Sequence, residues 1–278
     1  MKLAISNIAW DEAEQPEMLP ALALAGVTGI EIAPTKIWPD WIGATPDAAS
    51  RFGANLAARG FLVPALQSIL FGRPDLRVFG AHAGLVDHIA RVAGLAGALG
   101  AGVMVFGSPR NRLRGTLSAA EAMRQAVPIF REIGAACVAA GTCLGIEANP
   151  SQYGGDFLLT WRDAAELVAR VDHPGIGLHF DTACTAMAGD DPVAAVRECA
   201  GLIRHFHVSA PWLGPVEDQL GGQGTGPDGE SATIDHARIA AALRSLGYTG
   251  FVSIEMRRTE TPLLSVPRAV EFVRSHYG

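Results

Sequence analysis

The sequence predicts a single (β/α)8 barrel over residues 1–278, and three observations support this. Short runs of β-type residues recur eight times along the chain, and an alanine-rich stretch with helical spacing typically follows each run. Eight is also the number of parallel strands that closes such a barrel. No linker, low-complexity tract or shift in composition divides the chain, so we expect one domain.

Turn residues separate the predicted elements, as Gly26 and Gly29 do before the second run and Gly247 and Gly250 before the eighth. The β-type runs cover residues 3–7, 29–33, 62–67, 103–107, 144–148, 176–181, 205–209 and 251–256. The clearest helical segments cover residues 81–99, 118–140, 161–171, 192–199, 235–246 and 266–275. This alternation predicts a parallel sheet covered by helices, the TIM barrel fold.

A doubly wound open sheet is the alternative architecture. Such a sheet usually carries a glycine-rich phosphate turn after its first strand. This chain instead has the sequence SNIAW at residues 6–10. The barrel is therefore favoured.

Composition and charge limit the expected partners and location. Hydrophobic residues make up 49% of the chain, but no apolar run reaches the roughly 18 residues of a membrane span. Residues 1–17 turn acidic early and lack the apolar core of a signal peptide, so we expect a cytoplasmic enzyme. The net charge is −6 and no basic cluster exceeds the Arg257-Arg258 pair, which argues against nucleic acid as a partner. The four cysteines lack CxxC spacing and are expected to be reduced.

Four strands end in an acidic or imidazole side chain with the same parity. Side chains alternate between the two faces of a strand. Glu147, Asp181, His207 and Glu255 each fall opposite the large apolar residues of their own strand. In a barrel that face points into the lumen, and the carboxyl ends of the strands form the mouth where active sites are built. We therefore expect the four side chains to converge at this mouth.

Such a cluster of carboxylates requires a cation or protons, because the charges repel one another and lose hydration. Three carboxylates and one imidazole suit Mn²⁺, Mg²⁺ or Co²⁺, with Mn²⁺ as our first choice, while Zn²⁺ is a further option. Any one of the four residues alone could serve a salt bridge, a helix cap or packing. Four of them at successive strand ends indicate a metal site.

Five further residues are weaker candidates for substrate contact, because they lie at or near strand ends. For each of them, packing or a loop hydrogen bond is an equally good or better explanation. They are His179, Glu31, Gln67, Trp10 and Trp212. For His205, two residues before His207, we favour a supporting role. The segment 214–231 is too rich in glycine for a helix and predicts a lid over the site or a plain connection.

Several short motifs recur in a fixed order and spacing. They are GIEI at 29–32, GIE at 145–147, FDT at 180–182, HFHVS at 205–209, and GYTG at 247–250 followed by SIE at 253–255. With these motifs the chain resembles the xylose-isomerase-like TIM-barrel superfamily, the sugar phosphate isomerase/epimerase group, over essentially its whole length. The resemblance implies that Glu147, Asp181, His207 and Glu255 bind the metal. It also implies that the protein self-associates as a homo-oligomer.

In the isomerases and epimerases of that group, the two glutamates exchange a proton with the carbon next to a carbonyl. The metal holds adjacent substrate oxygens and stabilises the enediolate that forms. Carried over by resemblance, Glu147 and Glu255 are the acid/base pair. The expected activity is therefore that of an isomerase or epimerase of a small sugar or sugar derivative.

The chain departs from the ketose 3-epimerase pattern at three positions that help to hold a ketose. Cys184 stands in place of a histidine, Leu213 in place of an arginine and Tyr153 in place of a glutamate. The alternatives are a dehydratase, a lyase acting on an inosose-like or oxo-sugar substrate, and a non-catalytic sugar-binding barrel. A DNA-repair nuclease would need further histidine ligands and a basic mouth, which the sequence does not offer.

Overall fold

Parallel strands form an eight-stranded sheet that closes on itself, as the sequence predicts. The computed structural model describes residues 1–219, 224–225, 231–232 and 234–278. The barrel strands are β1 Lys2–Ser6, β2 Gly29–Glu31, β3 Ala65–Leu66, β4 Val103–Phe106, β5 Cys143–Glu147, β6 Ile176–Asp181, β7 Ile203–Ser209 and β8 Phe251–Glu255. They follow the spatial order β2-β1-β8-β7-β6-β5-β4-β3. Bridges from Gly29 to Leu62 and from Ile32 to Leu66 join the two edges, so the TIM barrel is confirmed.

The third strand is much shorter than its β-type run. Residues 62–67 were expected to be extended, but regular pairing covers only Ala65–Leu66. Pro64 lies inside the run and has no amide hydrogen for a sheet ladder, so the ladder with β4 starts after it. The other strands begin and end within two residues of the predicted runs.

The helices alternate with the strands in sequence, and the last helix follows the last strand. They are α1 Gln15–Leu24, α2 Pro46–Ala58, α3 Ala83–Leu99, α4 Ala119–Ala139, α5 Trp161–Val171, α6 Thr182–Met187, α7 Pro192–Cys199, α8 His236–Ser245 and α9 Pro262–Tyr277. Three of these helices, α1, α2 and α6, were not among the predicted helical segments. Helix α1 contains Pro16 in its first turn and Pro20 inside, which weakens its helical signal. Helix α6 has only six residues and begins directly after β6.

The apolar side chains of the strands share one face, and this face packs outward against the helices. Phe180 of β6 stacks on Phe206 of β7 with ring centroids 5.2 Å apart, and Phe106 of β4 meets Phe130 of α4 edge to face at 5.3 Å. All four rings are buried. Because the apolar side chains occupy the outer face, the polar parity is left to fill the lumen.

A register shift between β6 and β7 sets which β7 side chains enter the lumen. Leu178 pairs with Ile203, but the next residue, His179, pairs with His205, so Arg204 is the extra residue of a bulge. Arg204 is exposed. The bulge places the histidines of β7 opposite the polar parity of β6, because a shift of one residue reverses the face of every side chain.

Nowhere in the described ranges does a helix combine the length and the apolar character that a membrane crossing requires. A short antiparallel ribbon pairs Gly224–Thr225 with Ser231–Ala232. The rest of segment 220–230, the heart of the predicted lid or connection, lies outside the described residues. That expectation stays a prediction.

Candidate metal centre and substrate cavity

The strand register brings the predicted metal ligands to one end of the barrel. Asp181 of β6 pairs with His207 of β7, which on its other side pairs with Ser253 of β8. Glu147 of β5 pairs with His179 of β6. These residues lie in adjacent rungs near the carboxyl ends of the strands. Their side chains are buried in the lumen, as the parity predicts.

The two ring nitrogens of His207 face different acidic side chains. Its Nε2 lies 2.9 Å and 3.0 Å from the two carboxylate oxygens of Glu31. Its Nδ1 lies 3.3 Å from Oε2 of Glu255 and 3.8 Å from Oδ2 of Asp181. This Nδ1 is fully buried and has no hydrogen bond of acceptable geometry to any described residue. A buried nitrogen surrounded by carboxylate oxygens is a fitting position for a cation ligand.

Glu31 supports this arrangement from below rather than touching substrate from the mouth. It is fully buried. Its Oε2 also accepts hydrogen bonds from Oγ of Ser253 at 2.5 Å and, in the matching tautomer, from Nε2 of His205 at 3.2 Å. Burial raises the pKa of Glu31, but His207 and His205 lower it more, so it lies well below 4.5. The ionised carboxylate thus fixes the orientation of the His207 ring.

Glu147 is held by a chain of buried hydrogen bonds. Nδ2 of Asn149 donates to Oε2 of Glu147 at 3.0 Å. Nη2 of Arg112 donates to Oδ1 of Asn149 at 2.8 Å, and its Nη1 donates to the Glu147 carbonyl at 2.7 Å. Gly107 packs directly on the carboxylate, where a β-carbon would overlap Oε2. These contacts leave Oε1 free to face the lumen.

Asp181 also caps the short helix that follows it. Its Oδ1 accepts a hydrogen bond from the Cys184 amide at 2.6 Å, and its Oδ2 accepts one from Oγ of Ser209 at 2.7 Å. Both donors are neutral, so the carboxylate charge remains available to a cation. Cys184, which replaces the histidine of the ketose 3-epimerases, is buried beside Asn149, with its Sγ 3.7 Å from Nδ2.

The carboxylates perturb one another's ionisation. Burial and the neighbouring Glu255 and Asp181 raise the pKa of Glu147 from 4.5 to about 8. Burial and Glu255 also raise the pKa of Asp181. Burial lowers the pKa of His207, but Glu31 and Glu255 raise it more, so it lies well above 6.5. Protons therefore occupy this cluster when no metal is bound, which is the electrostatic pattern expected where a divalent ion fits.

His179 is a further ligand candidate. It is buried, and within the described part of the chain neither of its ring nitrogens has a hydrogen-bond partner. Its Nε2 lies 3.7 Å from Oε1 of Glu147. One ligand atom from each of Glu147, His179, Asp181 and His207 can be chosen so that all lie within 4.8 Å of one another. Burial and the neighbouring His207 and His205 hold the pKa of His179 well below 6.5, so its ring nitrogen carries a lone pair.

A cavity of about 850 Å³ opens from this centre toward the loops that follow β3 and β4. Its wall includes both Glu147 and Glu255, together with Gln67 and Tyr153. Gln67 is buried and donates a short hydrogen bond to Oγ of Ser6. The volume falls in the usual range for small-molecule sites, about 300–1,000 Å³.

The other weaker candidates lie away from the described wall of this cavity. Glu31 and His179 are buried beneath the centre. Trp10 is 2% exposed and borders a separate, smaller depression beside Asn7. Trp212 has a left-handed backbone (φ 62°) and packs edge to face on Tyr153, whose hydroxyl accepts a hydrogen bond from the Trp212 amide at 3.0 Å. Trp212 therefore braces the wall residue Tyr153.

Sequence reasoning missed four residues that orient the site. Three of them lie two positions from a predicted ligand, and so share its parity: Asn149, Ser209 and Ser253. Extending the alternation of side chains by one step would have found them. Arg112 carries no comparable sequence signal, because it ends a short 3-10 helix outside the strands and acts through contacts that only the fold creates.

Comparisons with known proteins agree with this architecture. The sequence matches the family model of the xylose isomerase-like TIM barrel over residues 19–276. No protein with curated annotation matches it at a significant level. Similar solved structures include 3-keto-D-glucoside 4-epimerase from E. coli, with 17% identity, a TM-score of 0.76 and 99% of each chain covered.

Two further similar structures belong to proteins of other kinds. The probable 3-DHS dehydratase of petrobactin synthesis from Bacillus anthracis has 16% identity and a TM-score of 0.73, with 100% of each chain covered. The IolI protein, solved with a bound zinc atom, has 16% identity and a TM-score of 0.70, with 99% of this chain and 96% of that chain covered. Identities this low show a shared fold.

Proposed function

Because the chain belongs to the xylose isomerase-like TIM barrel family, we propose that it is a divalent-metal-dependent isomerase or epimerase of a small sugar or sugar derivative. One observation carries the proposal. Glu147 and Glu255 line the same cavity, and their strands flank the two strands that carry Asp181 and His207. Two carboxylates beside one metal site are the groups that a proton transfer next to a carbonyl requires.

We propose that Glu147, Asp181, His207 and Glu255 hold the ion, with Mn²⁺ as the first candidate and Mg²⁺, Co²⁺ or Zn²⁺ as others. The donor set favours a divalent cation, since the carboxylates of Asp181 and Glu255 lie beside Nδ1 of His207, which has no hydrogen-bond partner among the described residues. When bound, the ion would withdraw electron density from the substrate carbonyl and so acidify the adjacent C–H group.

The two glutamates then act as base and acid. One carboxylate removes the proton from the carbon next to the carbonyl, and the other returns a proton to the same or the neighbouring carbon. Asn149 fixes one oxygen of Glu147, so that the other oxygen, Oε1, points toward the substrate. The low exposure of Glu147, 7%, keeps water from competing for the proton.

Hydrogen exchange in D₂O tests this proposal. The metal-loaded protein is incubated with a panel of aldoses, ketoses, inososes and oxo-sugars, and deuterium incorporation is followed by NMR. We expect metal-dependent exchange that Glu147→Gln and Glu255→Gln each reduce by at least about a hundredfold. Exposed Glu132 on α4 provides the matched control, since Glu132→Gln leaves the site unchanged.

The same incubation separates the alternatives. A dehydratase would expel a β-hydroxyl and produce an enone, which is detected by its ultraviolet absorbance. A sugar-binding barrel without turnover would bind metal and sugar but exchange no hydrogen with any compound. Exchange that persists in both glutamine variants would refute the assignment of the acid/base pair.

A further inference from the structure

The cavity that starts at the candidate metal centre ends among arginine side chains. Two of them, Arg77 and Arg110, line its outer part together with the loops that follow β3 and β4. We propose that Arg77 and Arg110 form an anion subsite, and that the substrate carries a carboxylate or phosphate group at the end remote from the reacting carbon. This inference deepens the proposed function and rests on it for the reacting end only.

The two loops that carry these arginines are joined by hydrogen bonds beside them. Nδ2 of Asn111 donates hydrogen bonds to the carbonyls of Arg73 at 2.8 Å and of Leu76 at 2.7 Å. The Val78 amide donates to the Asn111 carbonyl at 2.9 Å. Arg77 lies between Leu76 and Val78 in sequence, and Arg110 directly precedes Asn111. Both arginines are exposed and line the same cavity beside this junction.

The described residues provide no counter-charge for these two arginines. In the described ranges, neither Arg77 nor Arg110 pairs with a carboxylate or donates a side-chain hydrogen bond. Nearby Arg73, by contrast, forms a two-point ion pair with Asp75 at 2.7 Å and 2.9 Å. Two unpaired guanidinium groups on one cavity wall attract an oxyanion, for which their planar donors are well suited.

The distribution of charge along the cavity also sets the orientation of the substrate. With the ion bound, the three carboxylates of Glu147, Asp181 and Glu255 would outweigh its two positive charges, so the inner end stays negative. Arg77 and Arg110 make the outer end basic. An anionic group of the substrate would be repelled by the negative inner end and attracted to the positive outer end. A sugar acid or sugar phosphate would therefore enter with its carbonyl end first and leave its charged end at the loops.

A binding experiment with matched probes tests the subsite without requiring turnover. Calorimetric titrations compare D-glucose, D-glucuronate and D-glucose 6-phosphate on the metal-loaded protein, which separates carboxylate from phosphate. We expect at least one anionic probe to bind about tenfold or more tightly than glucose. Arg77→Ala and Arg110→Ala should each lower the affinity for the anionic probe about tenfold. Both variants should leave the affinity for glucose unchanged.

Arg91→Ala is the matched control, because Arg91 is an exposed arginine on α3 outside the cavity wall. The subsite is refuted if neither anion binds, if glucose binds as tightly as both anions, or if Arg91→Ala has the same effect as the two cavity variants. Anion preference without any hydrogen exchange would instead refute the proposed isomerase and leave the subsite in place. Hydrogen exchange with neutral sugars, combined with no binding preference for either anionic probe, would instead refute the subsite and leave the proposed isomerase in place.

Discussion

Nε2 of His207 lies 2.9 Å from Oε2 of Glu31, and this contact decides which ring nitrogen faces the candidate metal ligands. The carboxylate accepts the Nε2–H hydrogen, so that Nδ1 remains directed at Asp181 and Glu255. Carboxylate–histidine pairs of this kind fix both the tautomer and the orientation of a metal-binding imidazole. The pair also links β2 to β7 across the lumen.

We therefore expect Glu31→Gln to weaken metal binding through its effect on His207, without a direct contact to the metal. An amide accepts hydrogen bonds at only one of its two terminal atoms and carries no charge, so the ring of His207 becomes less basic and less well oriented. We expect Mn²⁺ affinity, measured by calorimetry, to fall about 10- to 100-fold. Glu132→Gln on the surface of α4 is the control. Equal affinities of the Glu31→Gln variant and the unaltered protein would contradict this role.

His179 provides a second test of the metal centre. If its ring nitrogen, 3.7 Å from the Glu147 carboxylate, moves onto the ion, the centre gains a second imidazole. We expect His179→Phe to change the visible absorption spectrum of the Co²⁺-loaded protein and to lower Co²⁺ affinity at least about tenfold. An unchanged spectrum in a folded variant would assign His179 to packing alone.

The sequence predicted the barrel, and it predicts that polar side chains at four strand ends face the lumen, because both depend on local alternation. Eight β-type runs appear as strands, and the polar parity of four of them faces the lumen. The roles of Glu31 and Trp212 depend instead on contacts between distant segments: Glu31 meets residues 174 and 176 positions away. No periodicity in one strand encodes such contacts. The bulge at Arg204 was likewise invisible, although it determines the face of His205 and His207.

Arg112 is the buried residue whose loss should affect the fold most directly. Its guanidinium is fully buried and donates hydrogen bonds to Asn149 and to the carbonyls of Phe106, Glu147 and Leu158. Arg112→Met would leave these acceptors unsatisfied, at a cost of about 3 kcal/mol in the free energy of unfolding. Urea denaturation measures this change.

Exposed Arg124, which pairs with Glu121, is the matched control for that measurement. Arg124→Met should change the free energy of unfolding by less than about 1 kcal/mol, because exposed ion pairs contribute little. A loss as small as this in Arg112→Met would mean that water replaces the buried guanidinium without cost.

The raised pKa of Glu147 predicts how the stability of the metal-free protein varies with pH. The folded protein holds this proton up to about pH 8, whereas the unfolded chain releases it near 4.5. Between these values the folded state binds more protons, so the free energy of unfolding falls as pH rises, by up to about 1.4 kcal/mol per pH unit. His236, whose pKa burial lowers to about 4, acts in the opposite direction only below about 6.5.

The pH range 7–8 therefore reports on the candidate metal centre, with its carboxyl groups and His207. There, the raised pKa of His207 acts in the same direction as that of Glu147, because the folded state again holds the extra proton. Urea unfolding at several pH values should show a negative slope in the metal-free protein, a smaller slope in Glu147→Gln, and a reduced slope when saturating metal displaces the protons. Identical slopes in the metal-free protein and in Glu147→Gln would show that Glu147 ionises as it does in the unfolded chain, and that the crowded carboxylates do not act on one another.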